Sequence, residues 1–359
     1  MSKRERGKKG KVKGFITVLF CLLVLGMIGG GYYYYQNYLK SDGEKKPNPI
    51  KKDDPPPPPP KLKIIDEDSI SRPYAVMINN LGVARPLQSG LQDAYIIYEM
   101  IAEGGITRYM ALFLEPTTER IGSIRSSRHY FLDYVLENDA IYVHHGQSPQ
   151  AASDFKSLRI DRIVVDNSKT GWRDNTVRDA NGKRVNSEHT LFTNAEKLAK
   201  GIGSKRIERK NDFLLKYSID PIDLSRMEGA IPANEISMVY SGNTTSSYTY
   251  DVEKGVYNRF VNGKEHVDYV TKEQYTFKNI IIYQVQNVAL DNKGRQDFKN
   301  IGTGEGYFIS NGYAVPITWS KSARSSQTSY KYADGREVVV NDGNTFIQIQ
   351  PKGKSLSIT

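Results

Sequence analysis

The chain has 359 residues, 38% of them hydrophobic, with 50 Lys and Arg against 40 Asp and Glu and a single Cys. That composition excludes a collagen-like or wholly disordered chain and suits about two folded domains with attachments. The formal charge of +10 sits at one end: residues 1–13 carry +6 and residues 14–63 carry +3, leaving +1 for residues 64–359. A folded part so near neutrality lacks the clustered cations that displace phosphate counterions, so no nucleic-acid partner is expected.

Phe15 to Tyr35 is a run of 21 residues without a charge, and a helix of about 20 residues crosses a ~30 Å hydrocarbon core. The basic run before it and Tyr32 to Tyr35 after it predict a single-pass anchor over 15–35. The N-terminus, 1–14, is then cytoplasmic and residues 40–359 are extracytoplasmic. Cleavage near Gly26 to Gly31 is the competing reading. Cys21 follows Phe20 and precedes Leu22, which is the setting of a membrane-buried apolar residue and not of a lipid-attachment site. With the one Cys there, the exported part forms no disulfide. Residues 36–63 are rich in Lys and Pro, and the unbroken Pro55 to Pro60 predicts an extended spacer.

From 64 to 202, short apolar runs (Tyr74 to Ile78, Ala94 to Tyr98, Tyr109 to Leu114, Ala140 to Val143) read as buried strands. Between the last two, Tyr130, Phe131, Tyr134 and Val135 predict an amphipathic helix over 127–138, capped by Ser126 or Ser127. Strands separated by a helix predict an α+β or α/β module. Residues 203–234 read as a connector. From 235 to 359 the runs Ser237 to Tyr240, Tyr248 to Asp251, Val256 to Val261, Ile280 to Val288, Tyr307 to Ile309, Ala314 to Trp319, Val338 to Val340 and Phe346 to Ile349 predict a mostly antiparallel all-β module. Asn262-Gly263, Asn311-Gly312, Asp334-Gly335 and Asp342-Gly343 mark its hairpins. The glycine-rich Gly302 to Gly306 leads into a strand and not a helix, so it reads as a turn or bulge rather than a phosphate loop. Aromatics such as Tyr248, Tyr250, Tyr257, Trp319, Tyr330 and Tyr332 offer a glycan-stacking surface or, at alternate positions, a core.

The polar residues that bear chemistry gather in the first module. Arg125 and Arg128, read at a helix start, pair guanidinium forks with free backbone N–H groups and with Ser123 and Ser126, which is an anion site. Arg108, Arg173 and His189 join them as binding candidates. The competing reading is an internal ion-pair network with Glu99, Glu103 or Asp133. Glu99, Glu103 and His144 are the weak catalytic candidates for a hydrolase or transferase; carboxylates beside arginines have lowered pKa values, which suits charge compensation better than proton donation. His144 and His145 are adjacent on a strand and face opposite sides, so neither a metal nor a cofactor is expected.

The motifs EGGITRYMALF (103–113), IGSIRSSRHYF (121–131), IYVHHGQSPQA (141–151), SEHTLFT (187–193), GYAVPITWSK (312–321) and DGREVVVNDGNTFIQIQP (334–351) resemble those of the YerB-like lipoprotein family, bacterial proteins of unknown function with an N-terminal and a C-terminal part. The resemblance spans about residues 70 to 351. It implies an envelope-exposed, membrane-attached protein in two parts, with a transmembrane helix here in place of a lipid-bearing Cys. Together these readings lead to a non-catalytic binder of an anionic wall polymer or lipid headgroup. The alternatives are an envelope hydrolase or transferase and the scaffold of an envelope complex.

Overall fold

Among the described residues strands dominate, and the helices are few and short. The computed structural model describes residues 29–33, 60–179 and 181–359, so the expected anchor and linker fall largely outside the described residues. Among the described residues no helix is long and apolar enough to cross a membrane. Residues 60–359 form one unit.

The apolar runs of the first segment become the strands Tyr74–Asn79, Ile96–Ile101, Thr107–Phe113 and Ile141–His144, buried along their whole length. Both faces are covered, so the runs are continuous and not alternating. The expected antiparallel character of the C-terminal segment holds for most of its strands, which pair as hairpins and meanders. At Asn311-Gly312 both residues have positive φ, 50° and 80°, the geometry a two-residue hairpin needs. That turn joins Gly302–Ser310 to Tyr313–Lys321 in unbroken register. Gly302 to Gly306 therefore lies in a regular strand; the turn or bulge expected there is corrected. The glycine is required by packing, since a Cβ on Gly304 would come within 2.6 Å of the Trp319 indole opposite.

The hairpin expected at Asp342-Gly343 is also absent. Val339–Asn341 pairs parallel with Lys216–Ser218, and Thr345–Pro351 enters the main sheet. There it lies between Asn279–Val285 and Ile96–Ile101, parallel to both. The two sequence segments thus share one sheet of eleven strands among the described residues.

A second sheet of six described strands, built mainly from Glu235–Ser241, Thr244–Asp251 and Val256–Val261, covers one face of the first. Phe346 forms the apolar contact, edge-on to Tyr109, Tyr248 and Phe277. Beside it Gln348 donates to the Tyr248 hydroxyl at 2.6 Å and accepts from Tyr240 at 2.5 Å. Tyr248, Tyr257, Trp319, Tyr330 and Tyr332 are buried, so these aromatics form core and not a sugar platform. On the other face of the main sheet, Tyr98 donates to Glu137 at 2.7 Å, and Glu137 ends the helix Leu132–Glu137.

That helix is shorter than its periodicity predicts. His129–Phe131 is a 3-10 turn, the α-helix begins at Leu132, and no side chain caps it. The preceding backbone is taken by long-range pairing: Arg125 N donates to Met77 O at 2.9 Å and Ser127 N to Gly146 O at 3.0 Å. Arg128 itself is extended, at φ −127° and ψ 146°.

Candidate functional site

Tyr74–Asn79, Ile141–His144 and Arg162–Val164 run parallel, and Ile96–Ile101 points the same way across the antiparallel Thr107–Phe113. Their carboxyl ends meet near Asn79, Ile101 and His144, the end of an open sheet where ligands commonly bind. Arg108, the second residue of its strand, stands there opposite Asn79 and Met100. The extended segment 123–128 crosses the same end, so Arg125 and Arg128 arrive on a strand-like stretch. The helix-start anion site is corrected accordingly: N–H groups that it would have left free are already spent on Met77 and Gly146.

The arginines are joined in a network. Glu103 receives Arg108 Nη2 at 3.2 Å and Arg128 Nη2 at 2.9 Å, with a further bond from Arg128 Nε. Arg108 Nη1 also donates to Ser126 O at 2.7 Å. Arg125 donates to Glu188 Oε2 at 2.8 Å and to Glu188 O at 3.1 Å. Arg173 reaches His145 Nε2 at 3.1 Å and also donates to Ser187 O. His189 lies between, with Nδ1 at 3.1 Å from the Asn79 amide and Nε2 at 3.4 Å from Glu188. The Glu103 loop is held from the second sheet, where Asn243 Nδ2 donates to Gly104 O at 3.0 Å. Gly105, at φ 72°, leaves no room for a Cβ against Ser241.

Charge is unbalanced in this network. Four arginines meet two carboxylates, and the histidines add no charge near neutrality where burial holds them down. His144 is pushed down to about 4 by burial, and the His189 pKa is lowered by burial against the pull of Glu188. Burial raises the Glu103 pKa, but the Arg128 hydrogen bond and the Arg108 and Arg128 charges outweigh it, so the carboxyl is held below its usual range. Arg108 is pushed down to about 10, by burial first and by the Arg128 charge second. Two donors here, Arg108 Nε and Ser123 Oγ, are buried without a partner.

The catalytic candidates separate. Glu99 is fully buried between the two sheets, paired with Arg259 at 2.7 Å and hydrogen-bonded by Thr107 at 2.6 Å and Ser246 at 3.0 Å. It belongs to the interior and is not grouped with Glu103. His144 is stacked between Tyr142 and Phe155, with Nδ1 bonded to Gly146 O at 2.8 Å. Neither has the geometry of an acid or base open to a substrate. Among the described residues no three His, Cys, Asp or Glu side chains group to hold a metal ion. Glu188, His145 and Asn79 complete the network; the sequence points to His145 only as the strand neighbour of His144 and to Glu188 only through its adjacency to His189, and gives no signal for Asn79.

Residues 62–208 match the N-terminal domain, and residues 236–347 the C-terminal domain, of a family described as protein of unknown function (DUF3048). The chain belongs to that family, as its motifs imply. It is 30% identical over 304 residues to "Putative lipoprotein YerB" of Bacillus subtilis (strain 168), across 80% of this chain and 84% of the relative. The crystal structure of the YerB protein from Bacillus subtilis is similar with a TM-score of 0.67 and 28% identity, across 80% of this chain and 94% of that one.

Proposed function

We propose that this chain is a membrane-attached extracytoplasmic protein that binds an anionic cell-envelope component, a wall polymer or a lipid headgroup, and catalyses no reaction on it. The observation that carries this reading is the surplus of arginines Arg108, Arg125, Arg128 and Arg173 over Glu103 and Glu188 at the carboxyl ends of the parallel strands. Planar guanidinium forks donate two parallel hydrogen bonds to a phosphate or carboxylate. The partly exposed Arg125, 23% accessible at its side chain, is the first contact for an anion, and Arg173 beside it adds a second charge. Membrane attachment is supported by the charge-free run 15–35 and by the lipoprotein name of the relative. A hydrolase reading loses support because Glu99 and His144 are enclosed.

The test is co-sedimentation of the detergent-solubilised full chain with isolated cell walls, before and after acid removal of their phosphate polymers, and with phosphatidylglycerol against phosphatidylcholine vesicles. Retention on the anionic preparations falls about tenfold in the double variant Arg125→Gln, Arg173→Gln, and falls also as salt rises. Unchanged retention in that variant refutes the reading.

A further inference from the structure

At the other end of the long sheet, the hairpin of Gly302–Ser310 and Tyr313–Lys321 floors a concavity of about 750 Å³. That volume lies within the about 300–1,000 Å³ range of small-ligand sites. Thr303, Glu305 and Tyr307 line it from one strand, with Thr318 opposite Glu305 and Pro316 opposite Tyr307. Lys352 and Leu356 line it as well, from the chain after Thr345–Pro351. The contrast with the arginine network is chemical. There every guanidinium has a partner, whereas the side chains of Thr303, Glu305, Tyr307, Thr318 and Lys352 make no hydrogen bond or ion pair with other described residues.

The topology narrows the class of occupant. Residues 306–310 are hydrogen-bonded on both sides and residues 302–305 to Tyr313–Lys321 alone, while Tyr313–Lys321 is flanked by Gly302–Ser310, Ser329–Tyr332 and Ile231–Pro232. The free backbone edge is the short stretch 302–305, less than an ordinary strand for an extended peptide to add to, so recognition rests mainly on side chains. A lipid tail would strip water from Glu305 and Lys352 without replacing its hydrogen bonds. A sugar chain matches the lining: its hydroxyls meet a carboxylate, an ammonium and two threonines, and its C–H faces meet the Tyr307 ring and Pro316.

We propose that this cavity binds a glycan chain, with one pyranose ring against Tyr307 and Pro316 and its hydroxyls bonded by Glu305, Thr318 and Lys352. The site is separate from the arginine network and does not depend on it. Of the two tryptophans, Trp319 lies on the reverse of the same strand pair, behind Gly304, and gives an optical readout when Trp172 is replaced by Phe.

The experiment is a calorimetric titration of the full chain, held in a detergent without a sugar headgroup, with an N-acetylglucosamine tetramer and separately with a glucose tetramer. Saturable binding of at least one tetramer is expected between ~0.1 and ~10 mM, with a change in Trp319 emission. Tyr307→Ala weakens it about tenfold and Glu305→Gln about fivefold. Glu305→Gln keeps the parent melting temperature, because its side chain has no internal partner; Tyr307 packs against the core, so Tyr307→Ala is titrated well below its own melting temperature. Arg125→Gln binds the sugar as the parent does. Binding of both tetramers assigns the site to glycans in general, and binding of the N-acetylated one alone assigns it to amino sugars. No binding of either tetramer up to ~10 mM, or equal affinity in Tyr307→Ala and Glu305→Gln, overturns the proposal.

Discussion

Replacing Arg259 by Met tests how the two sheets are joined. Its guanidinium, with no solvent exposure, donates to Glu99 at 2.7 Å, to Ser246 at 3.1 Å, to Tyr109 at 3.2 Å and to His266 Nδ1 at 3.2 Å, with a further bond to Tyr248. Met fills much of the same volume but leaves the Glu99 carboxylate enclosed with only Thr107 and Ser246 as donors. Breaking one side of a buried pair costs about 3–5 kcal/mol, largely from the stranded charge. At roughly 2–4 °C per kcal/mol for a protein of this size class, the melting temperature falls by roughly 6–20 °C. The double variant Glu99→Gln, Arg259→Met removes the stranded charge and recovers at least about half of that loss. Urea unfolding of the parent, both single variants and the double variant gives the coupling. A single-variant loss below about 1 kcal/mol, or strict additivity in the double variant, refutes the account of Glu99 as an interior partner.

Stability toward acid depends on His144. Its folded pKa of about 4 lies below the ordinary 6.5, so between those values the unfolded chain binds a proton that the folded chain refuses. The histidine therefore withdraws up to about 3 kcal/mol as pH falls through that window and none above it. His144→Gln flattens the slope of urea midpoint against pH from 7 to 4.5, and identical slopes contradict the assignment. At Gly304 an added methyl collides with the Trp319 indole. Gly304→Ala costs about 1–3 kcal/mol and alters Trp319 emission; a loss within about 0.5 kcal/mol places the indole elsewhere.

Much of the strand content was legible because burial writes itself into composition. Val76 to Ile78 and Ile280 to Ile282 lie on strands covered on both faces, and both are unbroken apolar runs. Asn311-Gly312 announced its hairpin through the positive φ that its two residues tolerate. Other features depend on partners distant in the chain. The periodicity of Tyr130, Phe131, Tyr134 and Val135 is genuine, yet its first turn is lost because Met77 and Gly146 capture the backbone of Arg125 and Ser127. Glu99 stands inside the apolar run Ile96–Ile101, which signals a buried charge but not its partner, since Arg259 arrives from a strand of the other sheet. The arginines were legible as a group and Glu103 as a candidate partner, but that Glu103 and not Glu99 or Asp133 holds Arg108 and Arg128, and that Glu188 holds Arg125, depends on loops that only the folded chain brings together.

The strand Thr345–Pro351 imposes an order on assembly. Ile96 pairs with Thr345, so a strand made early waits for nearly the whole chain before its second neighbour exists. Closure over so long a stretch is entropically slow. In the interval Ile96–Ile101 is an open apolar edge, the kind of template that recruits strands from other molecules. A chain interrupted before residue 345 is therefore left with that edge uncovered, and the two family segments, though recognised separately, reach their final state together.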